Sequence, residues 1–257
     1  MHQYIDTHIH LYDSDFTPDL KDVIERAVQN KVTRCILPAI DKSCQKPLLD
    51  TVAKFPDNLF PATGLHPTSV KEDWEDELSF VYESVATKKY VAIGEIGLDG
   101  YWSKDFINEQ AIAFEKQLEL ASKYNLPVII HSRDATEDIL KVLEKCRNFN
   151  LKGVFHAYSG SYETFCRIQK TGNFLVGIGG VITFKNASIA GTVKKIGLEN
   201  IVLETDAPWL APVPFRGKRN EPAYIQIISE KMAELMEKDV DEIAEITTGN
   251  AERLFNL

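Results

Sequence analysis

With 257 residues, 44% of them hydrophobic and 26% charged, the chain has ample material for a core and fits neither a disordered nor a fibrous class. Its formal net charge of −9 opposes broad attachment to nucleic acid or anionic membrane, so a phosphate-bearing substrate would need a local site that overrides the global field. No apolar run approaches the roughly 18 to 20 residues that cross a bilayer, and no basic segment followed by an apolar one opens the chain, so a cytoplasmic protein is expected. Cys35, Cys44, Cys146 and Cys166 have neither zinc-ribbon spacing nor the density of a secreted disulfide framework, and read as buried or incidental thiols.

Short β-rich runs lie near residues 3–9, 33–39, 59–64, 90–96, 127–131, 153–157, 174–178 and 200–205. The first ends in Asp6-Thr7-His8-Ile9-His10. His8 and His10 are two apart on a strand, so both side chains share a face and can reach one metal ion. Asp6 shares that face and is expected to orient a ligand histidine. The third run ends at His66 before Pro67, where it can contact substrate or be an ordinary loop histidine. Leu78, Val81 and Val85 then mark a helix. The fourth run places Glu95 at the end of an apolar strand, where an unpaired charge would cost several kcal/mol. Either coordinated cations or an ion pair with Arg133 would remove that cost.

Ile107, Ala111, Phe114, Leu118 and Ala121 repeat at helical spacing. The fifth and sixth runs close on His131 and His156. The eighth closes on Glu204-Thr205-Asp206, with Ala207-Pro208 ending the strand sharply. Asp206 suits a ligand that also accepts a proton from an attacking water; Glu204 shares its face, as a supporting group or a plain buried polar residue. Ile225, Ile228, Met232 and Leu235 predict another helix. Ile243, Ile246, Leu254 and Phe255 predict a closing one, interrupted near Gly249.

Eight strand–helix units with no linker between them predict an α/β fold, a single-domain (β/α)8 TIM barrel over residues 1–257 with its active site at the C-terminal strand ends. A doubly wound open sheet is the rival and needs a Gly-rich phosphate turn; Gly177-Ile178-Gly179-Gly180 is the one candidate, late in the chain and incomplete in spacing. Histidines and carboxylates gathered at one end of a strand array are what a metal-activated water requires. Arg133 and the run Arg216-Gly217-Lys218-Arg219 fall in loops after the fifth and eighth strands, where fork-shaped donors would match phosphate oxygens.

Taken in order, Asp6-Thr7-His8-Ile9-His10-Leu11, Gly64-Leu65-His66-Pro67, Gly94-Glu95-Ile96-Gly97-Leu98-Asp99, His131-Ser132-Arg133-Asp134-Ala135, Phe155-His156-Ala157-Tyr158-Ser159-Gly160, Glu204-Thr205-Asp206-Ala207-Pro208-Trp209-Leu210 and Arg216-Gly217-Lys218-Arg219-Asn220-Glu221-Pro222 resemble the successive signatures of the TatD family of metal-dependent hydrolases. The resemblance implies a TIM-barrel metallohydrolase of the amidohydrolase superfamily, a deoxyribonuclease of the 3'-5' exonuclease type acting on DNA ends. It implies two divalent cations (Mg, Mn or Zn): His8, His10 and Asp206 would bind one, His131 and His156 the other, and Glu95 would bridge them. Asp206 and Glu95 would carry catalysis, while His66, Arg133 and Arg216 would face substrate.

One departure is visible, because an aromatic residue usually follows the Asp of the fourth signature and here Gly100 precedes Tyr101-Trp102. An alternative keeps the site and changes the bond, to an ester such as that cut by a D-aminoacyl-tRNA deacylase. A barrel that only binds would be expected to lack one or more ligands, and all six are present. No membrane and no obligate protein partner are implied.

Overall fold

The computed structural model describes residues 3–87, 89–102 and 104–257. Eight strands are formed: β1 (Tyr4–Asp6), β2 (Val32–Leu37), β3 (Leu59–Thr63), β4 (Ala92–Asp99), β5 (Val128–Arg133), β6 (Lys152–Phe155), β7 (Asn173–Ile178) and β8 (Ile201–Leu203). Each pairs in parallel with the next, in the spatial order β1 to β8. An order that never reverses has no switch point, which rules out the doubly wound sheet. The last seam is closed past the strand ends: Thr7 N donates to Leu203 O (3.1 Å), Asp206 N to His8 O (2.9 Å) and His10 N to Ala207 O (2.9 Å). Ile9 and Ala207 form a parallel bridge there. The result is a nearly closed (β/α)8 barrel.

Around it run α1 (Leu20–Gln29), α2 (Lys42–Lys54), α3 (Trp74–Thr87), α4 (Ile107–Tyr124), α5 (Thr136–Lys145), α6 (Tyr162–Ile168), α7 (Val193–Ile196), α8 (Ile225–Met236) and α9 (Val240–Phe255). Alternate strand residues sort into two apolar sets, as the period of two requires. Ile5, Ile36, Ala62, Ala92, Ile129, Val154 and Val202 form one, against Ala251, Leu254 and Phe255 of α9. Their neighbours, such as Leu37, Ile93, Ile130 and Val176, join Val23, Leu48, Val81 and Phe114 of the helices. Among the described residues no helix is long and apolar enough to cross a membrane.

Helix α9 runs unbroken through Gly249, against the expectation of an interruption. A helical glycine costs about 1 kcal/mol relative to alanine, and burying Ile243, Ala244, Ala251, Leu254 and Phe255 along one face outweighs that. The expected boundaries also shift at β4 and β5, which reach Asp99 and Arg133; Arg133 is thus a strand residue. The β4–β5 register slips between Ile93 and Ile96, and pairing resumes from Ile96–Ile130 to Asp99–Arg133.

Gly97 makes that extension possible. Its φ is +140°, and a Cβ would lie 2.1 Å from the carbonyl oxygen of His131. Gly97→Ala is therefore expected to cost about 3 kcal/mol or more. At roughly 2–4 °C per kcal/mol for a chain of this size, the midpoint of thermal unfolding should fall by about 10 °C. Unchanged unfolding would contradict the close approach.

Two buried glutamines of α4 hold the strand ends that lead into the site. Gln117 accepts from Leu65 N (2.7 Å) and donates to Leu65 O (3.2 Å), just before His66. Gln110 does the same to Asp99 N (2.9 Å) and O (3.3 Å). Seven residues apart, they lie on one face of the helix. Each satisfies a donor and an acceptor that would otherwise be buried unpaired.

Candidate metal centre

The C-terminal ends of the strands gather the polar residues singled out above. His8 and His10 turn their Nε2 atoms toward each other, 3.1 Å apart. The proton on His10 can be located by elimination. Tyr12 Oη donates its only proton to Pro38 O (2.7 Å), so it accepts from His10 Nδ1 (2.8 Å), leaving the Nε2 lone pair free. Asp6 does not orient a histidine ring, contrary to expectation. Its Oδ1 accepts from Thr205 N (3.0 Å) and His8 N (3.3 Å), and its Oδ2 accepts from Thr205 Oγ1 (2.6 Å). It ties the β1 and β8 ends together, with burial pushing its carboxyl up to about 8.

Glu95 is buried at the centre, after a cis Gly94–Glu95 peptide. Its Oε2 lies 3.2 Å from His8 Nε2 and 3.9 Å from His10 Nε2. Its Oε1 lies 2.7 Å from His156 Nε2, 2.9 Å from His131 Nδ1 and 3.4 Å from His66 Nε2. The two oxygens therefore face two sets of imidazoles. Burial alone would raise the Glu95 carboxyl, but the charges of His156, His66 and His8 and the His131 hydrogen bond hold it well below the usual range. Arg133 is not its partner: that guanidinium lies over the Tyr101 ring at 3.8 Å.

Asp206 Oδ1 stands 3.6 Å from Nε2 of both His8 and His10. Its φ of +58°, like the +46° of Ala157 after His156, is a left-handed turn that swings the chain away at a strand end. Behind His156, Glu204 Oε1 lies 3.7 Å from Nδ1 and accepts from Ala157 N at 2.5 Å. Gly177 makes room for this carboxylate, since a Cβ there would lie 2.0 Å from Glu204 Oε2. That space, not a phosphate turn, accounts for the first glycine of the Gly177–Gly180 run.

Among the described residues, three overlapping groups have ligand atoms within 4.8 Å of one another: His8, His10 and Glu95; His8, His156 and Asp206; His66, Glu95 and His131. Imidazole and carboxylate acceptors turned inward repel unless protons or cations lie among them. This donor set fits a borderline divalent cation. His66 differs from the rest. Its Nδ1 accepts from Thr68 N (3.1 Å), which puts the proton of the neutral ring on Nε2 and makes that atom a donor toward Glu95.

The basic residues divide. Arg133 stacks on Tyr101 and lies 5.3 Å from the exposed Trp102 ring. Arg216 lies over Phe184 at 4.6 Å. Arg219 is tied to Asp19 (2.7 Å) and packs over Phe16, so the expected basic cluster is partly a structural clamp. Beside the histidines opens a cavity of about 370 Å³, lined by His131, His156 and Asp206 and by the apolar Ile178, Val181, Ile182 and Leu210.

Two participants were missed in the sequence. Tyr12 sits in the turn that follows His10, beyond the end of β1 at Asp6, where strand periodicity does not place it. Asp99, the last residue of the Gly94–Asp99 signature, is buried with Oδ2 2.9 Å from His131 Nε2. Burial would raise its carboxyl, but His131 and the amides of Trp102 and Tyr101 bring it down to about 2.

A family described as TatD related DNase matches residues 5–256. The uncharacterized metal-dependent hydrolase YabD of Bacillus subtilis is 41% identical over 98% of both chains. YcfH of Escherichia coli, named in the same way, is 32% identical over 98% of this chain and 96% of its own. Among solved structures, the TatD homologue YjjV of Escherichia coli superimposes with a TM-score of 0.92 at 32% identity, covering 99% of this chain and 98% of that one. A TatD family hydrolase of Entamoeba histolytica gives 0.85 at 25% identity over 99% and 98%.

Proposed function

We propose that this chain, which belongs to the TatD family of metal-dependent hydrolases, cleaves phosphodiester bonds at the 3′ ends of DNA with two divalent cations. The observation that carries the reading is the division of Glu95: Oε2 faces His8 and His10, while Oε1 faces His131 and His156. His8, His10 and Asp206 would hold one cation, His131 and His156 the other, and Glu95 both. Magnesium, manganese or zinc bound there would supply an activated water and neutralise charge on the phosphate oxygens.

The remaining work falls to the chain. Asp206 takes the proton of the attacking water. Its side chain, 16% exposed against 4% for Glu95, is the more open carboxylate, and His10, His8 and His156 keep it ionised against its burial. His66 donates from Nε2 to a phosphate oxygen. Arg133 stacks by its face on Tyr101, which leaves the N–H edge of the guanidinium for a second oxygen. Arg216 meets the phosphate chain further out. The apolar wall of the neighbouring cavity receives the terminal nucleoside, which favours action at an end.

The test is a side-by-side assay of chelator-treated protein resupplied with Mg, Mn or Zn. A 5′-labelled single strand should be shortened stepwise from its 3′ end, and the chelated protein should lose at least 100-fold of that rate, the order of a lost electrostatic catalyst. No cleavage with any of the three cations, alongside hydrolysis of aminoacyl-tRNA, would move the reading to the ester bond.

A further inference from the structure

Asp99 faces two ways. Its Oδ2 is 2.9 Å from His131 Nε2, while its Oδ1 accepts from Tyr101 N (2.9 Å) and Trp102 N (3.0 Å). The other nitrogen of His131, Nδ1, points at Glu95 Oε1. Gln110 grips the Asp99 backbone from α4, so the carboxylate is aimed from a fixed base. Gly100 belongs to the same device. A Cβ at that position would lie 2.8 Å from Asp134 O, and its N–H continues the ladder to Arg133 O (2.8 Å), so the turn carrying Tyr101 and Trp102 is drawn tight against β5.

We propose that Asp99 is a positioning residue that fixes the His131 proton on Nε2, keeps the Nδ1 lone pair turned toward Glu95 for a cation, and anchors the Tyr101–Trp102 turn with its second oxygen. It rests on the reading of His131 as a cation ligand. One carboxylate thereby sets both a ligand's tautomer and the aromatic lip on which Arg133 stacks. A ligating imidazole needs its other N–H engaged in this way, and losing such a partner typically weakens the metal by about 10–100-fold.

The isosteric change Asp99→Asn separates the two duties. The amide oxygen must stay on Tyr101 N and Trp102 N, because turning it to His131 would set an NH2 group against two backbone donors. Its NH2 group then faces His131 Nε2, which must become the acceptor and move the proton to Nδ1, closing the lone pair that faces Glu95. Chelator-treated protein titrated with Zn2+ by calorimetry should show two sites in the wild type. In Asp99→Asn one of them should weaken by about tenfold or more. The Trp102 indole resonance should stay in place in Asp99→Asn and move in Asp99→Ala.

Two sites of unchanged affinity in Asp99→Asn overturn the proposal and leave the two-cation reading standing. A wild type that binds no zinc through His131 overturns both. Nitrogen-15 spectra of the zinc-loaded wild type decide the matter even if the variant does not fold. Coordination through Nδ1 with Nε2–H retained supports the proposal, and coordination through Nε2 ends it.

Discussion

Glu95→Gln is expected to cut DNA cleavage on the order of 10³-fold, the upper end for removing one electrostatic contact to reacting charge, and to lower the bound cation content. The amide fills the same space, so the loss comes from charge and not from shape. Glu95 is buried, and its oxygens take five imidazole nitrogens within 4.0 Å, those of His8, His10, His66, His131 and His156. An amide presents one oxygen and one NH2 group, so whichever set meets the NH2 group loses its acceptor. Metal analysis after dialysis, run with the cleavage assay, checks both halves. A variant that keeps full cation content and cleaves within threefold of the wild type would remove Glu95 from the centre of the reading.

Asp206→Asn should act differently. The amide keeps an oxygen toward His8 and His10, so cation content should change little, but it cannot take a proton. Turnover should fall about 10²–10⁴-fold, the usual contribution of a positioned base, with KM for DNA nearly unchanged. A fall confined to KM would mean that Asp206 holds substrate, not that it moves the water's proton. The contrast between the two variants, one losing ligand capacity and the other basicity, is sharper than either result alone.

Much of this was legible in the chain. Continuous apolar runs such as Val128-Ile129-Ile130 fit strands buried on both faces best, and their polar last residues mark one end of a barrel. What escaped were features fixed by pairing between strands. The length of β4 depends on a register slip, with Gly97 tucked against the β5 backbone, and no periodicity announces that. Asp99 therefore fell outside the expected strand, and Arg133 was placed in a loop. Asp6 shares a strand face with His8, but which neighbour it serves depends on how close β8 comes across the seam. Arg219 looked like Arg216 because composition cannot tell that Asp19, two hundred residues earlier, waits beside it. Tyr12 escaped for a like reason: β1 ends at Asp6, and it is the turn after His10 that brings the hydroxyl to that ring.

The seam between β1 and β8 has a consequence for how activity is acquired during synthesis. His8 and His10 are made almost two hundred residues before Asp206, which shares their corner. A nascent polypeptide that has completed seven strands already owns Glu95, His131 and His156, yet its barrel stays unclosed. It lacks the carboxylate given the water's proton. Under the proposed mechanism, activity should therefore appear only once β8 and Asp206 have been added.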